Sequence, residues 1–165
     1  MADRTKRLAL VASKGSLDQA YPPLILASTA ASMGWEARIF FTFYGLDILH
    51  RERIKHLQVA PVGNPAMPPP LAAVPSLKVP TIVGALPGMT AVATAMMKGW
   101  MARSKMPTIQ EFLDLCLEAD VQLFACATTM GVMGITQDDL IPQAKCAGAT
   151  TFLDYAAEAD VSLFI

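Results

Sequence analysis

Apolar residues along this chain fall into short unbroken runs, separated by stretches with helical spacing. Leu8-Ala-Leu-Val-Ala12 is one such run, of strand length and without a polar break, which predicts a strand covered on both faces. It ends at Ser13-Lys14-Gly15-Ser16, a turn in which Ser16 can cap a following helix. Tyr21 to Met33 carries a helical pattern, with Pro22 and Pro23 suited to its first turn and Gly34 to its end. Glu36 to Phe43, rich in aromatic residues, predicts a second strand closed by Tyr44-Gly45. A helix is expected from Leu46 to about Leu57.

The next stretch is different. Pro61, Pro65, Pro68, Pro69 and Pro70 exclude regular helix or sheet and favour an extended path from 61 to 80. Val79 to Met97 has no charge over a length close to the ~20 residues that span a bilayer. Pro80, Gly84, Pro87 and Gly88 interrupt it, however. From Met89 on, Val92, Ala93, Met96, Met97 and Trp100 share one helical face, and Lys98, Arg103 and Lys105 surround the tryptophan as at an interfacial anchor. Three readings stay open for this face: a helix buried between subunits, a Met-rich docking surface, or a membrane-surface helix. Thr108 and Glu111 then have capping-box spacing and start a helix to Ala119, with Ile109, Phe112, Leu113, Cys116 and Leu117 as its stripe. Val121 to Ala125 is a third apolar strand. Thr136 with Asp139, and Thr151 with Asp154, begin two further short helices, and Val161 to Ile165 is a last strand.

Strands alternating with helices predict an α/β fold: a flavodoxin-like three-layer sandwich with a mostly parallel sheet and helices on both faces. The expected strand order is 2-1-3-4, with or without one extra edge strand. It makes neighbours of the loops after the first and third strands. The length suits one domain, 1–165, with a Pro-rich and apolar helical insertion at about 61–106. A net charge of −1 cannot supply a basic face, which argues against a nucleic-acid partner. With 53% hydrophobic and 16% charged residues, and a mean hydropathy of +0.40, some apolar surface should be covered. A homo-oligomer is expected, and peripheral membrane contact through 79–101 is the competing account. The first apolar run is too short for a signal peptide, and three widely spaced cysteines form no disulfide framework. The cytoplasm is the expected compartment, with membrane association left open.

The candidate chemistry lies at Cys126, where the third strand gives way to Ala127-Thr128-Thr129. In a parallel sheet this is the edge where ligands gather, and free N–H groups there favour a thiolate. The competing reading is an inert, buried thiol. Lys14, Gly15, Ser16 and Tyr44, on the loops after the first two strands, are pocket candidates, and so are Thr128 and Thr129. Cys116 invites an auxiliary role, but its helix-end position leaves it well beyond the roughly 7 Å that a disulfide with Cys126 allows. It is expected in the core, with a role through another subunit left open. His50 and His56 fall on different helical faces, so metal is not expected. No G-x-G-x-x-G or P-loop lysine motif follows a strand, and no Ser–His–Asp set can be assembled.

Cys126-Ala-Thr-Thr-Met-Gly-Val-Met-Gly-Ile resembles the cysteine loop of the DsrE/DsrF-like family of sulfur-relay proteins. Phe41-Thr-Phe-Tyr-Gly-Leu46 and Asp160-Val-Ser-Leu-Phe-Ile165 are similar to its peroxiredoxin-like, partly membrane-linked DsrE branch, while 61–106 resembles it little. The resemblance implies a sulfurtransferase or sulfur carrier that holds a persulfide or thiosulfonate on Cys126. Its partner would be a small TusA-like carrier protein or a rhodanese-like donor, with no cofactor. The alternatives are a flavodoxin-like binding module and an oligomer subunit with an inert Cys126.

Overall fold

The structure, a computed structural model, describes residues 4–60 and 86–165. The expected extended path from 61 to 80 and the first part of the uncharged run lie outside these residues. Five strands, β1 Arg7–Ala12, β2 Glu36–Phe41, β3 Gln122–Cys126, β4 Lys145–Ala147 and β5 Val161–Phe164, form one sheet. All four pairings are parallel, in the order β4-β3-β2-β1-β5. The helices are α1 Leu17–Ser32, α2 Met89–Arg103, α3 Ile109–Glu118, α4 Ala127–Met133 and α5 Ala149–Ala156.

The α/β class is as the apolar pattern predicts, and β4 is the extra edge strand. The strand order is not. The third strand lies beside β2 rather than β1, and β5 takes the free side of β1. The cause is visible in how α3 packs. It lies next to α1 on the same face: Tyr21 and Phe112 meet edge to face at 5.8 Å, Tyr21 Oη donates to the Pro107 carbonyl at 3.1 Å, and Cys116 Sγ donates to the Leu24 carbonyl at 3.4 Å. Right-handed crossovers that keep their helices on one face must step the strands in one direction, from β1 to β2 to β3. The last crossover returns over the opposite face. There Phe152 of α5 stacks on Phe40 at 5.1 Å, and Arg38 lies 3.9 Å from the centre of the Tyr155 ring.

Leu8, Leu10 and Ala12 face the α1 layer with Ile39, Phe41, Leu123 and Ala125, and all are buried. α1 starts four residues earlier than its prolines suggest, with Ser16 as N-cap in extended conformation. Pro22 and Pro23 therefore stand in the second turn, where they forgo two intrahelical N–H bonds. The stripe Leu17, Ala20, Leu24 and Ala27, none more than 5% exposed, holds the helix on the sheet instead.

Two elements depart further from the expectation. β2 stops at Phe41, because Phe43 adopts φ 47° and turns the chain. The helix expected from Leu46 to Leu57 is replaced by two 3₁₀ turns, Phe43–Ile48 and Arg53–His56. Gly45 lies so close to β1 that its N–H reaches the Ser13 carbonyl at 3.2 Å, and His50 Nδ1 accepts from the Glu52 and Arg53 N–H groups at 3.2 and 3.4 Å. Leu46, Ile48, Leu49, Ile54 and Leu57 are all buried, a spread that no single face of a straight helix could cover.

α2 exists, and Ala93 and Met97 of the expected face pack inward, with Thr94 added and Val92 lost. Ala93 and Thr94 are buried while Val92 is half exposed. Thr94 Oγ1 accepts from the Val59 N–H at 3.0 Å and donates to the Thr90 carbonyl at 2.7 Å. No helix among the described residues is long and apolar enough to cross a membrane.

Candidate functional site

Cys126 ends β3 and is the N-cap of α4, so its sulfur sits where the sheet's carboxyl edge meets a helix start. It is 7% exposed. Burial pushes its thiol up, but more than balancing this are the Thr129 hydroxyl and N–H, the Thr42 hydroxyl and the Thr128 N–H gathered around the sulfur. The net effect holds Cys126 below the ordinary cysteine value, so more of it is thiolate near neutral pH. Thr42 Oγ1 and Thr129 Oγ1 lie 2.8 Å apart, so one hydroxyl donates to the other and the proton of the second is the one left to turn to the sulfur.

The other cysteines differ in kind. Cys116 is fully buried, and desolvation pushes its thiol up to about 12. Cys146 is exposed on β4, in register with Ala125. Cross-strand partners share a sheet face, so Cys146 points away from the face that Cys126 uses.

A separate cleft of about 820 Å³ opens beside the loop after β1. Lys14, Gly15, Ser16 and Tyr44 line it together with Asp18 and His56. Its walls are held together tightly: a Cβ added at Gly15 would come 2.2 Å from the Tyr44 carbonyl oxygen.

Residues 4–164 match the profile of the DsrE/DsrF/DrsH-like family. The chain belongs to that family. It is 44% identical over 160 residues to the sulfur carrier protein DsrE2 of Allochromatium vinosum, an alignment covering 97% of this chain and 98% of that one. It is 27% identical over 165 residues to the uncharacterized protein YrkE of Bacillus subtilis, covering 100% of both. The crystal structure of the E. coli ychN protein shares the fold, with a TM-score of 0.58 at 14% identity and coverage of 98% of this chain and 100% of that one.

In this DsrE/DsrF/DrsH-like chain the residues singled out from the sequence fall in three places. Thr128 and Thr129 surround Cys126, whereas Lys14, Gly15, Ser16 and Tyr44 line the cleft, and Cys116 belongs to the core. The expectation that the loops after β1 and β3 are neighbours is corrected, because β2 lies between them. The residue at the end of the neighbouring β2 strand that stands beside the sulfur is Thr42. Phe41 pairs with Ala125, which sets Thr42 level with Cys126. Thr42 could have been found as the first polar residue after the Phe40-Phe41 run, but only with the strand order known.

Replacing Thr42 by Val keeps the shape and removes one donor. A thiolate below its ordinary pKa reacts with alkylating agents from a correspondingly lower pH, so removing a donor moves that onset upward. The midpoint of the iodoacetamide rate–pH profile of Cys126 is expected to rise. An unchanged midpoint would show that Thr42 does not act on the sulfur.

Proposed function

We propose that this chain is a sulfur carrier that holds a persulfide on Cys126 and exchanges it with another thiol-bearing protein. The observation that carries the reading is the set of donors around a thiol at the sheet's carboxyl edge, which favours its charged form. Sulfur exchange needs only that. The Cys126 thiolate attacks the outer sulfur of an incoming persulfide, the old S–S bond breaks, and the donor leaves as a thiolate. The same N–H and hydroxyl groups are placed to steady the charge on the bound sulfur. Kinship with a protein named as a sulfur carrier supports this use of the site.

On this reading the partner is a small TusA-like carrier or a rhodanese-like donor in the cytoplasm. The exposed apolar residues Val132, Leu153 and Phe164 suit a homo-oligomer. A thiosulfonate on Cys126 is the alternative cargo. The test is the intact mass of protein incubated with polysulfide and freed of excess. A gain of about one or more sulfur atoms, removed by dithiothreitol, is expected. An unchanged mass under these conditions would overturn the proposal.

A further inference from the structure

A further cavity lies away from the sulfur, beside the helix for which the sequence leaves three readings. In its 15 residues α2 carries no charge except Lys98 and Arg103, yet only Ala93 and Thr94 of it are buried. Between its C-terminal half, α1, the start of α3 and the second 3₁₀ turn is a cavity of about 450 Å³. Its apolar wall is aliphatic and thioether: Leu17, Ile54, Leu57 and Ile109 are buried, and Met101 and Met106 partly so. The polar groups of the lining are mostly engaged elsewhere. Tyr21 Oη donates to the Pro107 carbonyl at 3.1 Å, Thr108 belongs to the capping box of α3, and Gln110 Nε2 donates to Asp114 at 3.1 Å.

The charged lining has one sign. Lys55 and Lys98 border the cavity, and among the described residues no carboxylate does. Lys55 already meets Glu52 at 3.0 Å, whereas Lys98 joins no ion pair among the described residues. An apolar void of this size leaves its walls without dispersion partners, and natural interiors hold few voids larger than a water molecule. Water is a poor filler here, because the lining offers it few free polar partners. The volume falls within the roughly 300–1,000 Å³ of small-molecule sites, which are likewise apolar with a few placed polar groups. An occupant that meets both features has a flexible aliphatic body and one negative head. Methionines such as Met101 and Met106 adapt readily to a body of that kind.

We propose that this cavity binds a medium-chain monocarboxylate, with its alkyl chain between α1, α2 and α3 and its carboxylate at Lys98. Lys55 adds to the positive field at the head. The cavity lies on the side of the sheet that α1 and α3 cover, opposite the face that Cys126 uses, so the proposal stands apart from the sulfur-carrier reading.

The probe is decanoate, kept below its micelle concentration and titrated into the full chain by isothermal calorimetry and amide NMR. One saturable site is expected, with shifts gathered at Leu17, Tyr21, Ile54, Met101 and Ile109. From hexanoate through octanoate to decanoate the affinity should rise about fourfold per added methylene, as burial of that group implies. Decyltrimethylammonium has the same chain and the opposite charge, and should bind about tenfold more weakly or worse. Lys98→Gln, a change at an exposed position, should weaken decanoate binding about threefold, as loss of an exposed ion pair does. No saturable binding at millimolar decanoate, an affinity that does not grow with chain length, equal binding of the two head groups, or an affinity unmoved in Lys98→Gln overturns the proposal. So do shifts centred on the exposed Val132, Leu153 and Phe164. Pelleting with phosphatidylglycerol vesicles in place of free-carboxylate binding would assign this face to a lipid surface and equally overturn it.

Discussion

A chain carrying Cys126→Ser is expected to take up no sulfur from polysulfide while melting close to the wild type. The two remaining thiols cannot stand in. Cys116 is fully buried against the Leu24 carbonyl with its thiol pushed up to about 12, so only about one molecule in 10⁵ carries the thiolate at neutral pH. Cys146 is exposed, but it lies on the opposite face of the sheet and has no share in the donors supplied by Thr42, Thr128 and Thr129. The replacement keeps the local structure because a serine hydroxyl is nearly isosteric and can use the same donors. Its cost should stay within about 1 kcal/mol. Mass spectrometry of the loaded protein checks the first part and a thermal melt the second. Equal sulfur uptake by variant and wild type would remove Cys126 from the mechanism. Loss of uptake together with loss of the fold would leave the pair Thr42→Val and wild type to decide, through their difference in pH profile.

Much of this site was legible as local chemistry, and what was not depended on topology. Leu8 to Ala12, unbroken, and Val121 to Ala125, interrupted only by Gln122, announce buried strands because such apolar runs have no other place in a three-layer protein. Thr108 and Glu111 form the capping box that their spacing implies, and so do Thr136 and Asp139. The last short helix starts at Ala149, two residues ahead of Thr151, since Gly148 rather than Thr151 holds the extended N-cap position. β4 has only three residues, two of them exposed, and so leaves no apolar run to read. The strand order depends on whether α3 lies on the same face as α1. That is settled by Tyr21 meeting Phe112, a contact between residues far apart in the chain. Thr42 follows from it. Its neighbours mark it only as the end of a strand, and it becomes part of the sulfur's surroundings once β3 lies beside β2.

The largest structural effect is expected from Gly45→Ala. Gly45 follows Thr42 at the tip of β2, where the backbone presses against the end of β1. An added Cβ would come 2.1 Å from the Ala12 carbonyl oxygen and 2.8 Å from its carbon, both backbone atoms that cannot swing aside. The Gly45 N–H also donates to the Ser13 carbonyl at 3.2 Å and the Thr42 carbonyl at 2.9 Å, so the loop cannot back away without giving up those bonds. Overpacking of this kind costs about 3 kcal/mol or more where no side chain can yield. Gly131→Ala is the matching control: it lies inside α4, an added Cβ meets nothing within 4 Å, and Ala is favoured over Gly in a helix by about 1 kcal/mol. Denaturant unfolding should therefore separate the two, with Gly45→Ala strongly destabilised and Gly131→Ala equal to or above the wild type. The consequence extends to the chemistry. Any shift of the β2 tip carries Thr42 with it, so Cys126 in Gly45→Ala should lose part of its thiolate character and alkylate with a midpoint moved upward, as in Thr42→Val. A Gly45→Ala chain as stable as wild type, with an unmoved midpoint, would mean that the close approach of the two loops does not hold the sulfur's surroundings in place.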